Sequence, residues 1–142
     1  MNDYTLEIHH DEKAGVWLSC VEIPEMHASG DTLVDALRDA ADAMDAALSI
    51  YVDQRRAIPA GRWQGDAATR LHLSALTAAK VALWNAMIEV GVGRGELAER
   101  LGCSRQVVDR LVDILHTSKI DQVERGLAVL GKRINVSVEA AA

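Results

Sequence analysis

Apolar and polar residues alternate in four short stretches of the first half of the chain. A period of two residues is typical of a β-strand with one buried face and one open face. The first two stretches, 4–8 and 16–20, are separated by turn residues at 11–15 and therefore predict a hairpin. Shorter stretches at 26–29 and 69–73 predict a third and a fourth strand. The apolar positions of the hairpin are Tyr4, Leu6, Ile8, Val16, Leu18 and Cys20.

A period of three to four residues runs from Leu33 to Tyr51 and predicts an amphipathic helix. Asp31 or Thr32 is the expected N-cap, because a short polar side chain can accept from the first free amides of a helix. One helix over one face of a small sheet is an α+β arrangement. Residues 54–68 show no apolar period and are expected to form a loop. The residues expected to face the sheet are Leu33, Leu37, Ala40, Met44, Leu48 and Tyr51.

Helical periodicity returns in the second half of the chain, which is therefore expected to be all-α up to its last residues. A helix is predicted at 76–90 and another at 120–130, the latter stopped by Gly131. Between them, two short apolar stripes at 95–101 and 104–112 predict two more helices. The residues expected to face inward from the two outer helices are Leu76, Ala79, Leu83, Ala86, Met87, Val90, Ile120, Val123, Leu127 and Leu130.

The two short helices are separated only by Gly102 and Cys103. Glycine can take the left-handed conformation that ends a helix, and Ser104 can cap the next one. Two helices joined by so tight a turn form a helix-turn-helix, whose second helix can enter the major groove of DNA. Arg105 and Gln106 at its start are side-chain types that read guanine and adenine edges. The alternative is an αα-hairpin whose polar residues are only solvated.

Residues 91–111, GVGRGELAERLGCSRQVVDRL, resemble the Cro/C1-type helix-turn-helix. The segments that begin at His116 and Ala128 are similar to the DNA-binding half of HicB antitoxins. The order of these motifs in one short chain extends the resemblance to HicB over nearly the whole length. The residues that resemble the HicB N-terminal domain are Gly15, Val16, Trp17, Pro24, Glu25, Gly30, Asp31, Thr32, Leu33, Asp35 and Ala36.

The resemblance implies two domains: residues 1–74, a partial ribonuclease H-like fold that binds a toxin, and residues 75–142, which bind DNA and dimerise. It implies a HicA-like ribonuclease that attacks messenger RNA as the toxin, and the operator of its own operon as the DNA. The chain would then be an antitoxin and an autorepressor. Asp109 places one carboxylate on the face expected to meet phosphates. The residues expected to contact DNA are Arg94, Ser104, Arg105, Gln106, Arg110, Thr117, Ser118 and Lys119.

Charge is divided unevenly along the 142 residues, whose net charge is −6. Residues 1–70 contain 6 Lys and Arg against 13 Asp and Glu, a balance of −7, and residues 71–142 contain 9 against 8, a balance of +1. An acidic front half suits a basic, RNA-cleaving partner, because opposite charges steer association.

The three tryptophans are expected to have different roles. Trp17 and Trp84 fall within strand and helix patterns and are expected in the core. Trp63 lies in the loop beside Arg62 and is the candidate exposed anchor for a partner, with capping of a core as the alternative. The residues expected to contact the toxin are Asp11, Glu12, Glu22, Glu25 and Trp63.

Ile134, Val136 and Val138 alternate with polar residues and predict a strand at the end of the helical half. An unpaired strand would leave an adhesive edge, so we expect it to pair with its two-fold mate. Such pairing would place two recognition helices about 34–36 Å apart, the spacing of successive major grooves. Packing within its own chain is the alternative. The expected assembly is a homodimer, with a tetramer also possible.

Enzymatic and metal chemistry are not expected. His9-His10-Asp11-Glu12 is the densest run of metal-capable side chains in the sequence. Adjacent histidines on a strand point to opposite faces, however, so they make a poor chelate. We therefore expect no metal, no cofactor and no catalytic residue. Two other functions remain open: a repressor whose front domain senses a small ligand without any protein partner, and a metal-dependent hydrolase.

The start of the chain carries neither a basic region nor an apolar core, and no apolar run approaches a membrane-spanning length. Cys20 and Cys103 are far apart in sequence and are expected to be buried thiols rather than a disulfide. The expected location is therefore the cytoplasm.

Overall fold

The computed structural model describes residues 2–13, 15–66 and 69–141. Within them lie the strands β1 (Asp3–Asp11), β2 (Gly15–Cys20), β3 (His27–Gly30) and β4 (Arg70–His72). They form one antiparallel sheet in the order β3-β2-β1-β4, which confirms the strands predicted from alternation. Residue 14 of the predicted turn and residues 67–68 of the predicted loop lie outside the described residues.

One face of the sheet is covered by helix α1 (Leu33–Asp53). Thr32 is the N-cap, and its hydroxyl accepts from the Asp35 amide at 3.2 Å. Leu6 pairs with Cys20 and Ile8 with Leu18 across β1 and β2, so one set of apolar side chains faces the helix. The buried side of α1 consists of Ala36, Ala40, Met44, Ala47, Leu48, Tyr51 and Val52.

The loop after α1 returns across the start of β1. The Tyr4 hydroxyl donates to the Pro59 carbonyl at 2.7 Å, and the Trp63 amide donates to the Asp3 carbonyl at 3.1 Å. Gly61 passes so close to β1 that a Cβ atom there would lie 2.1 Å from the Asp3 carbonyl oxygen. Glycine is therefore required at this crossing, since any side chain would push the loop off the strand.

Four helices make up the second half: α2 (Ala75–Val90), α3 (Arg94–Leu101), α4 (Arg105–Val112) and α5 (Ile120–Val129). The boundaries predicted from periodicity are confirmed to within one or two residues. Helix α3 ends at Gly102 in the left-handed conformation, with φ of 68°. Ser104 then caps α4 by accepting from the Val107 amide at 3.4 Å.

Three residues predicted to face inward, Leu37, Val90 and Ile120, are exposed instead. Val90 is the last residue of α2 and Ile120 the first of α5, so both project at helix ends. Leu37 follows buried Ala36 and is rotated about 100° from it around the helix axis. These three predictions were wrong because an apolar residue type does not guarantee a covered position.

The predicted terminal strand does not form within the single chain: residues 132–141 belong to no strand or helix. Ile134 is half-buried against the core, while Val136 and Val138 are 83% and 94% exposed. Glu139 reaches back to β4, where its carboxylate pairs with Arg70 at 2.8 Å. A strand needs a neighbour for its backbone groups, and the tail has none among the described residues of its own chain.

Helix α2 contacts the loop that precedes β4. The Trp84 indole donates to the Arg56 carbonyl at 2.7 Å, and Trp84 is buried as predicted. The Asn85 side chain accepts from the Ile58 amide at 2.8 Å and donates to the Ile58 carbonyl at 2.9 Å. Helix α2 therefore holds the loop as well as the helices that follow it.

Among the described residues, no single helix is long and apolar enough to cross a membrane. Helices α2 and α3 satisfy that test of length and composition only when taken together, across a bend of 104°.

Candidate DNA-facing and toxin-facing surfaces

Helix α4 is amphipathic and has one free polar face. Val108, Leu111 and Val112 are buried, whereas Arg105, Gln106 and Arg110 are exposed. The Ser104 hydroxyl accepts from the Val107 amide in the first turn of α4, so this side chain caps and positions the helix. Arg105 and Gln106 stand directly after this cap, at the end of the helix that bears the partial positive charge.

Arg94, predicted to contact phosphate, lies at the start of α3 and is already engaged. Its guanidinium pairs with the Asp109 carboxylate at 3.3 Å and lies 6.0 Å above the Trp84 ring. Such a partly exposed pair contributes about 0–1 kcal/mol of stability. Its larger effect is to offset the Asp109 charge, which sequence reasoning had placed against phosphate.

Lys80 was not singled out from the sequence, yet it is the most deeply buried charged residue among those described, at 0% exposure. Its ammonium donates to the carbonyls of Arg110, Asp113 and His116 at 2.9, 2.7 and 2.5 Å. Burial lowers the pKa of Lys80, and the nearby Asp113 charge acts in the opposite direction. The three bonds bring a positive charge to the C-terminal end of α4 and to the turn that follows it, where a cation is favourable.

The segment after α4 contains three residues predicted to contact phosphate, of which two are exposed and one is buried. Thr117 and Lys119 are exposed. Ser118 is buried, with its hydroxyl donating to the Arg110 carbonyl at 3.3 Å and lying 3.1 Å from the His116 ring. The Ser118 side chain therefore faces the protein interior, which corrects its expected position at the DNA surface.

Two of the carboxylates predicted to contact the toxin are used within the fold. Glu22 accepts from the Thr5 amide at 2.9 Å and from the Arg62 amide at 2.6 Å, joining the loop to β1. Partial burial acts to raise the pKa of Glu22, but its hydrogen bonds, led by those from the Arg62 and Thr5 amides, outweigh it and the pKa is lowered. Glu22 is thus a structural residue whose oxygens are occupied.

Glu25 is engaged in the same way. Its carboxylate accepts from the Tyr51 hydroxyl at 2.5 Å and pairs with Arg56 at 3.1 Å. Burial, followed by the Glu25 charge, raises the pKa of Tyr51 to about 12. Glu25 therefore links the segment before β3 to the end of α1, and its contact with a toxin stays a prediction.

Asp11 and Glu12 are exposed where the β1–β2 hairpin turns. One oxygen of Asp11 accepts from the Lys13 amide at 2.9 Å, which fixes the turn and leaves the charge facing solvent. These two carboxylates lie where a partner can reach them.

Trp17 and Trp63 are both half-buried. Trp63 is half-buried, donates to the Asp66 carbonyl at 2.8 Å and has the Arg70 guanidinium 5.0 Å above its ring. Trp17, expected in the core, lies on the face of the sheet opposite α1 and is only half-buried. Its ring is stacked between those of His9 and His27.

The described residues contain no group of three or more His, Cys, Asp and Glu side chains arranged to hold a metal ion. Cys20 is buried and Cys103 half-buried, and both are free thiols. Burial raises the pKa of Cys20 to about 11, so its thiol stays protonated near neutral pH.

A cleft of about 400 Å³ separates the end of α1 from the α3–α4 pair. It is lined mainly by charged and aliphatic side chains, with Asp53 on one wall and Arg94 and Asp109 on the other. It is the feature that a small-ligand sensor would use.

The chain is similar in sequence to known bacterial antitoxins. The sequence model of the family described as "HicB_like antitoxin of bacterial toxin-antitoxin system" matches residues 3–82. A relative named Antitoxin HicB from Pseudomonas fluorescens is 62% identical, covering 99% of this chain and 97% of the relative. Antitoxin HicB 2 from Photorhabdus laumondii is 36% identical, covering 94% of both chains. Antitoxin HicB from Escherichia coli K12 is 29% identical, covering 94% of this chain and 96% of the relative.

The chain thus combines a small sheet and its covering helix with further helices, of which α4 carries the exposed Arg105 and Gln106. The chain belongs to the HicB-like antitoxin family of bacterial toxin–antitoxin systems. Its relatives are antitoxins and not enzymes, and membership implies a toxin as partner.

Proposed function

We propose that the chain neutralises a HicA-like, mRNA-cleaving toxin by direct binding and represses its own operon by binding operator DNA. The observation that carries the proposal is the similarity to an antitoxin over 99% of the chain at 62% identity. A protein of this kind would act in the cytoplasm, where both messenger RNA and operator DNA are found.

The DNA-binding part of the proposal rests on α3 and α4 acting as a helix-turn-helix of the Cro/C1 type. Exposed Arg105 and Gln106 would read base edges, while Arg110, Thr117 and Lys119 would contact phosphates. Ser104 would act as the cap that positions the helix. Arg94 would reach a phosphate only by leaving Asp109, so its expected contribution is smaller than that of Lys119.

The assembly proposed for DNA binding is a homodimer held by the C-terminal tail. Ile134, Val136 and Val138 retain an alternating pattern, and the two valines are exposed in the single chain. Pairing of two tails would cover those valines and satisfy the backbone groups. A tetramer built from two such dimers is the next possible assembly.

The toxin-binding part is assigned to the sheet and α1, in a domain of residues 1–74 with a partial ribonuclease H-like fold. Its charge balance of six Lys and Arg against thirteen Asp and Glu in residues 1–70 favours a basic partner. Asp11 and Glu12 are the predicted contacts whose charges face solvent, whereas Glu22 and Glu25 support the fold. Trp63 is reduced to a secondary candidate by its contacts with Arg70 and Asp66.

The test is co-expression of the full chain with the toxin encoded by the neighbouring short reading frame. Growth should be restored, and the purified chain should shift a DNA fragment from its own promoter. Restored growth without a DNA shift would support toxin neutralisation and contradict repression of the operon. A shift without rescue would favour the alternative, a ligand-responsive repressor that uses the cleft between α1 and α4.

A further inference from the structure

The sheet has two unlike faces. Helix α1 covers one, while the other carries the odd-numbered residues of β1 and β2 and is open to solvent along its middle. We call this second surface the outer sheet face. It is formed by Glu7, His9, Trp17, Ser19, His27 and Ser29.

An aromatic stack occupies the centre of the outer sheet face. The rings of His9 and Trp17 are 3.8 Å apart and inclined by only 14°, and His27 stacks on the other side at 5.4 Å. The His9 ring is itself held by a 2.9 Å contact between its Nε2 and the Ser19 hydroxyl. The indole is thus fixed before any partner arrives, which reduces the entropy that binding would cost.

The surroundings of the stack are acidic. Glu7 is exposed two residues before His9 on the same face of β1, and Asp11 and Glu12 stand at the hairpin end. A half-buried tryptophan surrounded by polar, charged residues has the composition of an interface hot spot. Nothing in the fold requires a tryptophan there, because the buried face of β2 is filled by Val16, Leu18 and Cys20.

We propose that the outer sheet face, with Trp17 as its anchor, docks the basic RNA-binding surface of the toxin; this rests on the function proposed above. Nucleic acid is disfavoured as the occupant, because phosphates would meet Glu7, Asp11 and Glu12. A second copy of the chain is disfavoured too. A two-fold contact through this face would bring the same carboxylates against each other.

The test uses the full chain, an inactive toxin variant and a direct affinity measurement. Trp17→Ala should weaken toxin binding by about tenfold or more. Val34→Ala, which removes an exposed apolar side chain of α1 away from this face, is the control and should leave affinity within about twofold. Both variants should shift operator DNA as the wild type does, since α4 is untouched.

A second pair of variants covers the case in which Trp17→Ala does not fold. Ser29→Arg adds bulk and positive charge beside Trp17, its cross-strand neighbour, on an exposed position. Ala46→Arg adds the same side chain at an exposed position of α1. Ser29→Arg should weaken toxin binding about tenfold and Ala46→Arg should not.

The outcomes separate the two proposals. If the wild type binds the toxin and neither Trp17→Ala nor Ser29→Arg weakens it, the docking face is wrong and the antitoxin function stands. If Ala46→Arg alone weakens binding, the toxin meets α1 instead. If the folded wild type does not bind the toxin at all, the proposed function itself fails.

Discussion

The Lys80 ammonium of α2 lies 2.9 Å from the carbonyl oxygen of Arg110, near the end of α4. Two further carbonyls, of Asp113 and His116, accept from the same ammonium. One buried cation thus holds the helix proposed to read DNA and the turn that follows it. Removing that cation would take one charged donor away from each of the three carbonyls.

Lys80→Met, which preserves the length of the side chain, should therefore lower the free energy of unfolding by about 1–3 kcal/mol. Operator affinity should fall with it, because α4 and residues 113–119 lose their common anchor. Urea unfolding and a gel-shift assay measure the two effects. Lys119→Met is the matched control: it should weaken operator binding without changing stability, since Lys119 is exposed. Unchanged stability in Lys80→Met would show that the three bonds contribute little.

Arg105 and Lys119 should affect DNA binding differently. Arg105→Ala should cost about 1–3 kcal/mol and relax preference at one base pair. Lys119→Ala should weaken all sequences alike and reduce the salt dependence by about one counterion. Titrations on operator variants at several salt concentrations distinguish the two. If Arg105→Ala kept both affinity and preference, α4 would not be the reading helix.

Glu22 should make stability depend on pH. Its pKa is lowered in the folded state from an ordinary value of 4.5, so the unfolded chain binds the proton first as pH falls. The stabilisation is therefore complete above pH 4.5 and is lost as pH falls through the lower folded pKa. Glu22→Gln should cost on the order of 1 kcal/mol at pH 7, and the difference from wild type should shrink below pH 4.5.

Urea unfolding at pH 7, 5 and 3 measures this difference. Glu12→Gln removes one exposed carboxylate from the same half of the chain and controls for the change in net charge. A constant difference between wild type and Glu22→Gln at all three pH values would contradict the assigned role.

The tail should control assembly. A chain that ends at Lys132 lacks Ile134, Val136 and Val138, and it should be monomeric by light scattering and lose operator binding. A chain that ends at Glu139 keeps those residues and the contact with Arg70, and it should remain dimeric. Dimers of the shorter chain would place the interface elsewhere.

Much of the fold follows from periodicity, because strands and helices here bury one face each. The same rule could have placed Trp17 correctly. With Val16, Leu18 and Cys20 facing inward, residue 17 must face outward, but its apolar type was given more weight than its position. The error concealed the aromatic stack on the outer sheet face.

The partners of charged side chains could not be predicted in the same way. Glu22 is occupied by amides 17 and 40 residues away in sequence, and pairs so distant leave no local pattern. Lys80 stood four residues after Leu76 and three before Leu83, on the inward stripe of α2. Its burial was foreseeable there, but its three acceptors belong to another element.

The proposed boundary at residue 74 was drawn where the pattern changes from strand to helix. Trp84 and Asn85 of α2 nevertheless bond to the loop at Arg56 and Ile58. A fragment that ends before α2 would lose those bonds, so a toxin-binding fragment is better ended after Val90.

The most direct test of the antitoxin function is a titration of the purified full chain into the neighbouring-frame toxin while cleavage of a messenger RNA is followed. The account predicts that cleavage falls in proportion to the added chain and stops near a fixed ratio of the two proteins. Cleavage that continues unchanged in the presence of an excess of folded chain would contradict it.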